Sequence, residues 1–220
     1  MPKRFLEKKI KRIYVVGGAN YYAQRIENHE LTDDLSTADI VMFTGGEDVD
    51  PSLYGCKKHR STYSNINRDM YEKEIFEQIS ENQLVIGFCR GSQFLAVMNG
   101  GLLVQNCSNH AIGYTHRITN GDKIIDITST HHQMQYPYNL PNEDYTILYT
   151  CYGHRSEFYD GDKIDISPIL NYGEPEIVLY HKEGFPKCLA IQGHPEMMSQ
   201  DSPANIEINE IINNLLNEKD

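Results

Sequence analysis

Residues Gly87-Phe88-Cys89-Arg90-Gly91 set a cysteine between two glycines, where an apolar run from Leu84 to Phe88 gives way to a helix-like stretch from Ser92 to Asn99 closed by Gly100 and Gly101. The run has the length and β-branched content of an inner parallel strand. A strand that turns directly into a helix leaves no room for Cβ atoms beside the turning residue. The glycines therefore fit a nucleophile elbow with cysteine in place of serine. Such a turn puts the Cys89 sulfur at a helix N-terminus, where unpaired N–H groups and the helix dipole favour the thiolate, which is the attacking species. Cysteine is more often a small buried hydrophobe, and the flanking glycines are what weigh against that alternative here.

A cysteine nucleophile requires a base, and the base requires an orienting group. Both stand 105 residues downstream, in Cys188-Leu-Ala-Ile-Gln-Gly-His-Pro-Glu196. Apolar residues lead into His194, and Pro195 pushes the residue before it toward extended backbone. Side chains two apart on an extended segment point the same way, so Glu196 is expected to reach the imidazole of His194. His-Pro-Glu alone is a weak signal. Paired with the elbow it completes a candidate Cys-His-Glu triad.

Four blocks in order, TGGEDVDPSLYG from Thr44 to Gly55, RDMYEKEIF from Arg68 to Phe76, GFCRGSQFLAVMNGG from Gly87 to Gly101 and GHPE from Gly193 to Glu196, carry a likeness that spans nearly the whole chain. The sequence resembles class I glutamine amidotransferase domains and, within them, the gamma-glutamyl-gamma-aminobutyrate hydrolase group of cysteine peptidases. A fifth block, STHHQ from Ser129 to Gln133, looks like the segment that closes over the glutamyl substrate in that group. The resemblance implies a catalytic triad of Cys89, His194 and Glu196. It also implies an oxyanion hole of backbone N–H groups at Gly45, Gly46 and Arg90, and a glutamyl pocket lined by Gln93 with Ser129, His131 and His132. Two features depart from the family pattern: the stretch from Gly17 to Ile40 is short, and Gly193 stands where a large aromatic residue is common.

The elements needed to position these residues follow from pattern. Strands are expected over Arg12 to Val16, Ile40 to Phe43, Lys123 to Ile127 and Tyr145 to Thr150. A hairpin of Ile177 to Tyr180 and Cys188 to Gln192, turning near Glu183-Gly184, would deliver His194. Tyr71, Ile75, Phe76 and Ile79 share one helix face, and a final helix starts at Ser202-Pro203 with a stripe of Ile208, Ile211, Ile212, Leu215 and Leu216. Alternating strands and helices predict an α/β fold. With the resemblance, the expectation is a three-layer, open, mostly parallel sheet of flavodoxin-like type with a C-terminal β-hairpin. Sites in such sheets gather at the carboxyl ends of strands, where the Gly45-Gly46 turn, Cys89 and His194 would all fall.

The chain has 220 residues, is 40% hydrophobic, and suggests a basic leader over 1–12 followed by one domain over 13–220. The leader, MPKRFLEKKIKR, lacks a following apolar region and reads as a solvated segment rather than a signal or anchor. A net charge of −11 argues against nucleic acid as a partner, and no stretch approaches membrane-spanning length. The five cysteines are odd in number and lack CxxC spacing, which suggests reduced thiols in a cytoplasmic setting. Adjacent His131 and His132 would point to opposite sides of an extended segment with no third ligand at diagnostic spacing, so no metal is expected. His110 and His116 read as loop or structural histidines. Arg90 is expected to brace the elbow through carboxylates. Asp48 and Asp50 either cap the turn before Pro51 or, as exposed loop carboxylates, attract a cationic leaving group, with Asp50 the stronger candidate.

Three functional readings stay open. A free-standing hydrolase would cleave a small gamma-glutamyl amide to glutamate and an amine, with no cofactor and no partner. A glutaminase subunit would pass ammonia to a synthetase partner. A silent module would keep the fold without turnover, against which the intact triad argues. The amine half of the substrate and the oligomeric state are not legible in the sequence.

Overall fold

A computed structural model describes residues 10–218. The strands and helices, in chain order, are β1 Lys11–Val15, β2 His29–Leu31, β3 Ile40–Phe43, α1 Ile66–Phe76, β4 Leu84–Phe88, α2 Arg90–Met98, β5 Leu102–Val104, β6 Asn106–Cys107, β7 Ala111–Thr119, β8 Ile124–Thr130, β9 Met134–Tyr136, β10 Tyr145–Cys151, β11 Tyr159–Asp160, α3 Ser167–Tyr172, β12 Pro175–Tyr180, β13 Lys187–Ile191 and α4 Pro203–Asn217. Most of the basic leader expected over 1–12 lies outside the described residues, and the first strand begins at Lys11.

Nine strands form one open sheet in the order β2-β1-β3-β4-β13-β12-β10-β7-β8. Pairing is parallel from β2 through β1, β3 and β4 to β13, and antiparallel from β13 outward to β8. The fold is thus α/β, with a parallel half extended by an antiparallel half through the β12–β13 hairpin. Strand β4 is buried along its whole length between β3 and β13, as the apolar run LVIGF requires of a strand covered on both faces.

Two apolar layers sandwich the sheet. On one face, Phe43, Val85 and Ala190 pack with Phe76 of α1 and with Phe94, Leu95 and Val97 of α2. On the other, Ile13, Ile86, Leu189 and Ile191 pack against Ile208, Ile212 and Leu215 of α4 and against Tyr22 and Ala23. Helix α4 starts as its sequence suggests: Pro203 occupies the first turn and the Ser202 side chain accepts from the Asn205 N–H. The short stretch between β1 and β3 is explained by its content, since single 3-10 turns over Asn20–Arg25 and Leu35–Thr37 and the brief strand β2 stand where a full crossover helix would be longer. Strand β7 has no counterpart among the expected elements. Its pattern, AIGYTHRIT, is mostly exposed through the first five residues and carries a bulge between Ala111 and Tyr114.

Candidate active site

Three strand ends and the chain that leaves them bring the candidate residues together. Cys89 follows β4 with φ 50° and ψ −110°, a backbone conformation that side-chain-bearing residues seldom adopt. Helix α2 begins at Arg90, two residues earlier than the sequence suggests. The helix opens without a side-chain cap, so no cap signal marks the boundary; instead the Ser92 and Gln93 N–H groups bond back to the Cys89 carbonyl at 3.0 and 3.3 Å. The two glycines are there for close approach. A Cβ on Gly87 would lie 2.5 Å from the Gly91 backbone, and one on Gly91 would run into the Phe43 carbonyl of the neighbouring strand. The Cys89 N–H bonds the Ile191 carbonyl at 2.9 Å, which anchors the elbow to the strand that leads to His194.

His194 is held on both sides of its peptide by Thr128, whose hydroxyl accepts from the His194 N–H and donates to its carbonyl, each at 2.8 Å. Its Nδ1 lies 2.6 Å from Glu196 Oε1. The contact forms as expected, but not on an extended segment: Pro195–Met197 make a single 3-10 turn, closed by the Met197 N–H on the His194 carbonyl at 3.1 Å. Asn205 at the start of α4 donates to the Pro195 and Ser199 carbonyls at 3.1 and 2.7 Å and fixes that turn. Burial works to lower the His194 pKa, but hydrogen bonding to Cys89 and Glu196 and the negative charge beside it outweigh burial and raise it to about 10. The imidazole is thus hydrogen-bonded to the Glu196 carboxylate on one side, with Cys89 near enough to contribute to its raised pKa. Gly193 is small because Ile127 and the Thr128 carbonyl fill the space a side chain would need.

The Gly45-Gly46 turn after β3 faces the same point. A Cβ on Gly45 would lie 2.6 Å from the Tyr22 hydroxyl and 3.1 Å from His194 Cε1. Arg68 fixes the turn from behind, donating to the Gly45 carbonyl at 2.9 Å while its other groups hold Glu47 at 2.9 Å and Glu72 at 2.8 Å. The Arg90 side chain turns away from the reacting atoms into a buried pocket, where it pairs with Asp69 and Glu72 and lies 5.1 Å over the Phe94 ring. The expected brace through carboxylates is present, and its partners both come from α1. Tyr22 and Arg68 were not singled out as site residues from the sequence. Arg68 stood in a matched block, and an arginine four residues before Glu72 was the available signal; Tyr22 lies in a segment with none.

The pocket residues divide. Gln93 is buried and donates to the Gln133 carbonyl at 3.0 Å, next to the elbow. His132 is half-buried and its Nε2 lies 3.0 Å from Asp48 Oδ1, which raises its pKa. The Ser129 and His131 side chains are both buried and engaged within the protein: Ser129 donates to the His110 carbonyl, and His131 Nδ1 lies 2.9 Å from the Gln133 carbonyl. Asp50 takes the capping role that the sequence offered as one of two readings. Its carboxylate caps the turn Pro51–Tyr54, accepting from the Ser52 N–H and hydroxyl at 3.0 and 2.7 Å and from the Ser64 hydroxyl at 2.7 Å. Burial works to raise its pKa, but these hydrogen bonds outweigh burial and hold it below the usual carboxylate range.

His131 and His132 do point to opposite sides. On the inner side, His131 meets His110 and His116, which precede and lie on β7, and Glu176 of β12, so the group is assembled from segments distant in sequence. Among the described residues no helix is long and apolar enough to cross a membrane.

Known proteins share sequence and fold with this chain. Residues 5–156 match the model of the peptidase C26 family. A protein of Mycobacterium tuberculosis named "Putative glutamine amidotransferase Rv2859c" is 28% identical over 172 residues, covering 76% of this chain and 53% of its own length, so the chain spans about half of that relative. Two solved structures share the fold. One from Thermoplasma acidophilum, described as a "putative gmp synthase subunit a protein", has a TM-score of 0.57 at 16% identity, covering 96% of this chain and 95% of its own. A glutamine amidotransferase from Thermotoga maritima has a TM-score of 0.52 at 15% identity, covering 97% and 91%.

Proposed function

Since the chain belongs to the peptidase C26 family, we propose that it is a cysteine hydrolase that cleaves a gamma-glutamyl amide to glutamate and an amine. The observation that carries the reading is the pairing of a strained strand-to-helix turn at Cys89 with a nearby His194 whose Nδ1 is held 2.6 Å from Glu196. In this reading the Cys89 thiolate attacks the side-chain carbonyl carbon of the glutamyl group. Negative charge moves to the carbonyl oxygen, which the N–H groups of Gly45, Gly46 and Arg90 receive; one such donor is worth about 3–4 kcal/mol of barrier. The imidazolium of His194 gives its proton to the departing nitrogen as the C–N bond breaks, leaving a glutamyl thioester and a neutral imidazole. Water then adds to the thioester, His194 takes its proton, and glutamate leaves as the thiolate is restored. Glu196 keeps the imidazole in the tautomer and orientation that both steps use. Gln93 supplies the wall of the glutamyl pocket.

Incubating the isolated protein with glutamine and a panel of gamma-glutamyl amines, and following glutamate release, tests the reading. Release from the panel without any added protein supports a free-standing hydrolase. Release only from glutamine, and only when a synthetase is added, replaces it with a glutaminase subunit.

A further inference from the structure

On the antiparallel side of the sheet, His110, His116 and Glu176 place one ligand atom each within 4.8 Å of one another in a fully buried pocket. His116 lies on β7, His110 precedes that strand, and Glu176 lies on β12; β10, which separates those strands in the sheet, ends at Cys151. Three imidazole nitrogens surround a single carboxylate oxygen. Glu176 Oε1 is 3.0 Å from His116 Nε2, 3.4 Å from His110 Nδ1 and 3.9 Å from His131 Nε2.

These distances are short enough for ion pairs, yet the directions are wrong for hydrogen bonds. Among the described residues, both ring nitrogens of His110 and His116, His131 Nε2 and both oxygens of Glu176 are buried without a hydrogen-bond partner. A natural core seldom leaves one such atom unpaired, and here one nitrogen of each of the three rings faces Glu176 Oε1. Tetrahedral coordination with bonds of about 2.05 Å separates neighbouring ligand atoms by about 3.3 Å, close to the spacing of the two nearest nitrogens from Oε1.

The surrounding groups already set the tautomers that coordination needs. The His131 Nδ1 proton faces the Gln133 carbonyl, leaving the Nε2 lone pair aimed inward. His110 presents Nδ1 to Glu176 and Nε2 to Glu174 Oε2 at 3.4 Å. Glu174 is in turn held by the Ser156 N–H and the Tyr159 hydroxyl, at 2.8 and 2.7 Å. A carboxylate behind a ligating histidine is the usual outer support of such a centre.

We propose that His110, His116 and Glu176 bind a divalent transition-metal ion of the zinc class as a structural centre, which His131 closes as the fourth ligand by moving inward from its place 3.9 Å from Glu176 Oε1. Through the Gln133 carbonyl, which also accepts from Gln93, the ion would stiffen the wall beside the elbow without touching the reacting atoms.

The full-length protein, made without a histidine tag and purified without chelator, should carry about one zinc per chain by elemental mass analysis. After chelator treatment its thermal midpoint should fall by about 5 °C or more, and added Zn²⁺ should restore it. Co²⁺ added to the stripped protein should give the visible absorption of a tetrahedral site without the near-ultraviolet charge-transfer band of a thiolate, which separates this centre from one using nearby Cys107 or Cys151. His116→Ala and Glu176→Gln should lose stoichiometric binding, whereas His154→Ala, on an exposed histidine, should keep it. The decisive measurement needs no variant: wild-type protein that holds no metal as purified, and binds neither Zn²⁺ nor Co²⁺ after stripping, overturns the proposal and leaves a cluster neutralised by protons.

Discussion

Two buried polar clusters lie beside the elbow and follow opposite rules. In the one on α1, Asp69 and Glu72 face Arg90, Glu72 also accepts from Arg68, and Asp69 accepts the Asp50 N–H at 2.9 Å. Opposite charges are paired there, and of the side-chain groups of Arg68, Asp69, Glu72 and Arg90 only Arg90 Nε is buried without a hydrogen-bond partner. In the cluster between β7 and β12, three imidazoles and Glu176 come together with almost no hydrogen bond among them. The first explains its own burial as a brace; the second leaves buried nitrogens and oxygens without hydrogen-bond partners, which the proposed ion would engage. Burial of charge is thus uninformative by itself. What separates a brace from a binding site is whether the donors and acceptors are used up.

The largest effects should show that the chemistry belongs to neither cluster. Cys89→Ala and His194→Ala are expected to lower glutamate release by about 10,000-fold or more, with the denaturation midpoint nearly unchanged. Glu196→Gln should keep more turnover than either, and a Glu196→Gln protein as inactive as the histidine variant would contradict an orienting role. Iodoacetamide should label Cys89 ahead of Cys107 and Cys151, whose thiols burial pushes up. Mass mapping of the labelled peptides checks the order.

Breaking the closed cluster should cost stability. Glu72→Ala leaves the Arg90 guanidinium buried with one carboxylate fewer, and urea unfolding should show a loss of about 3–5 kcal/mol. Chelator should add nothing specific to that loss. A stability change below about 1 kcal/mol would mean that the first cluster is no more self-sufficient than the second.

The pH dependence distinguishes both clusters from the triad. Because the His194 pKa is raised to about 10, its imidazolium persists through neutral pH. Glutamate release should hold into the alkaline range and fall as the pH passes about 10. The same sign governs stability: the contribution of His194 is complete below its ordinary value of 6.5 and is lost as the pH rises through about 10. In Glu196→Gln the alkaline limb should move down by about one unit, and a limb that does not move would place the shift elsewhere. The smallest effect concerns the turn between β3 and α1. Asp50→Ala should cost about 1 kcal/mol as a lost cap and leave the preference among gamma-glutamyl amines unchanged, since its carboxylate is engaged within its own loop.

Legibility in the sequence followed locality. The elbow could be read because its glycines flank the cysteine, and the His194–Glu196 contact because its members are two residues apart. The reason given for that contact, extended backbone, was replaced by a 3-10 turn, since Pro195 at the first position of a turn satisfies the same backbone angle. The hairpin of β12 and β13 and the stripe of α4 were legible from period and caps. Strand β7 was not, because a bulge breaks its alternation. The histidine cluster was not, because β7, the end of β8 and β12 meet only through sheet pairing.

The position of β4 in the sheet bears on how the molecule is made. One neighbour of that strand, β3, is synthesised shortly before it; the other, β13, comes only after the whole antiparallel half. During synthesis the apolar segment LVIGF therefore waits with one unpaired edge, the kind of edge that recruits other chains. Folding should be slow for the chain length, since its central pairing is among the most distant in sequence. On the proposed chemistry the same delay has a protective side: a nascent chain would carry Cys89 long before it has His194 to activate it.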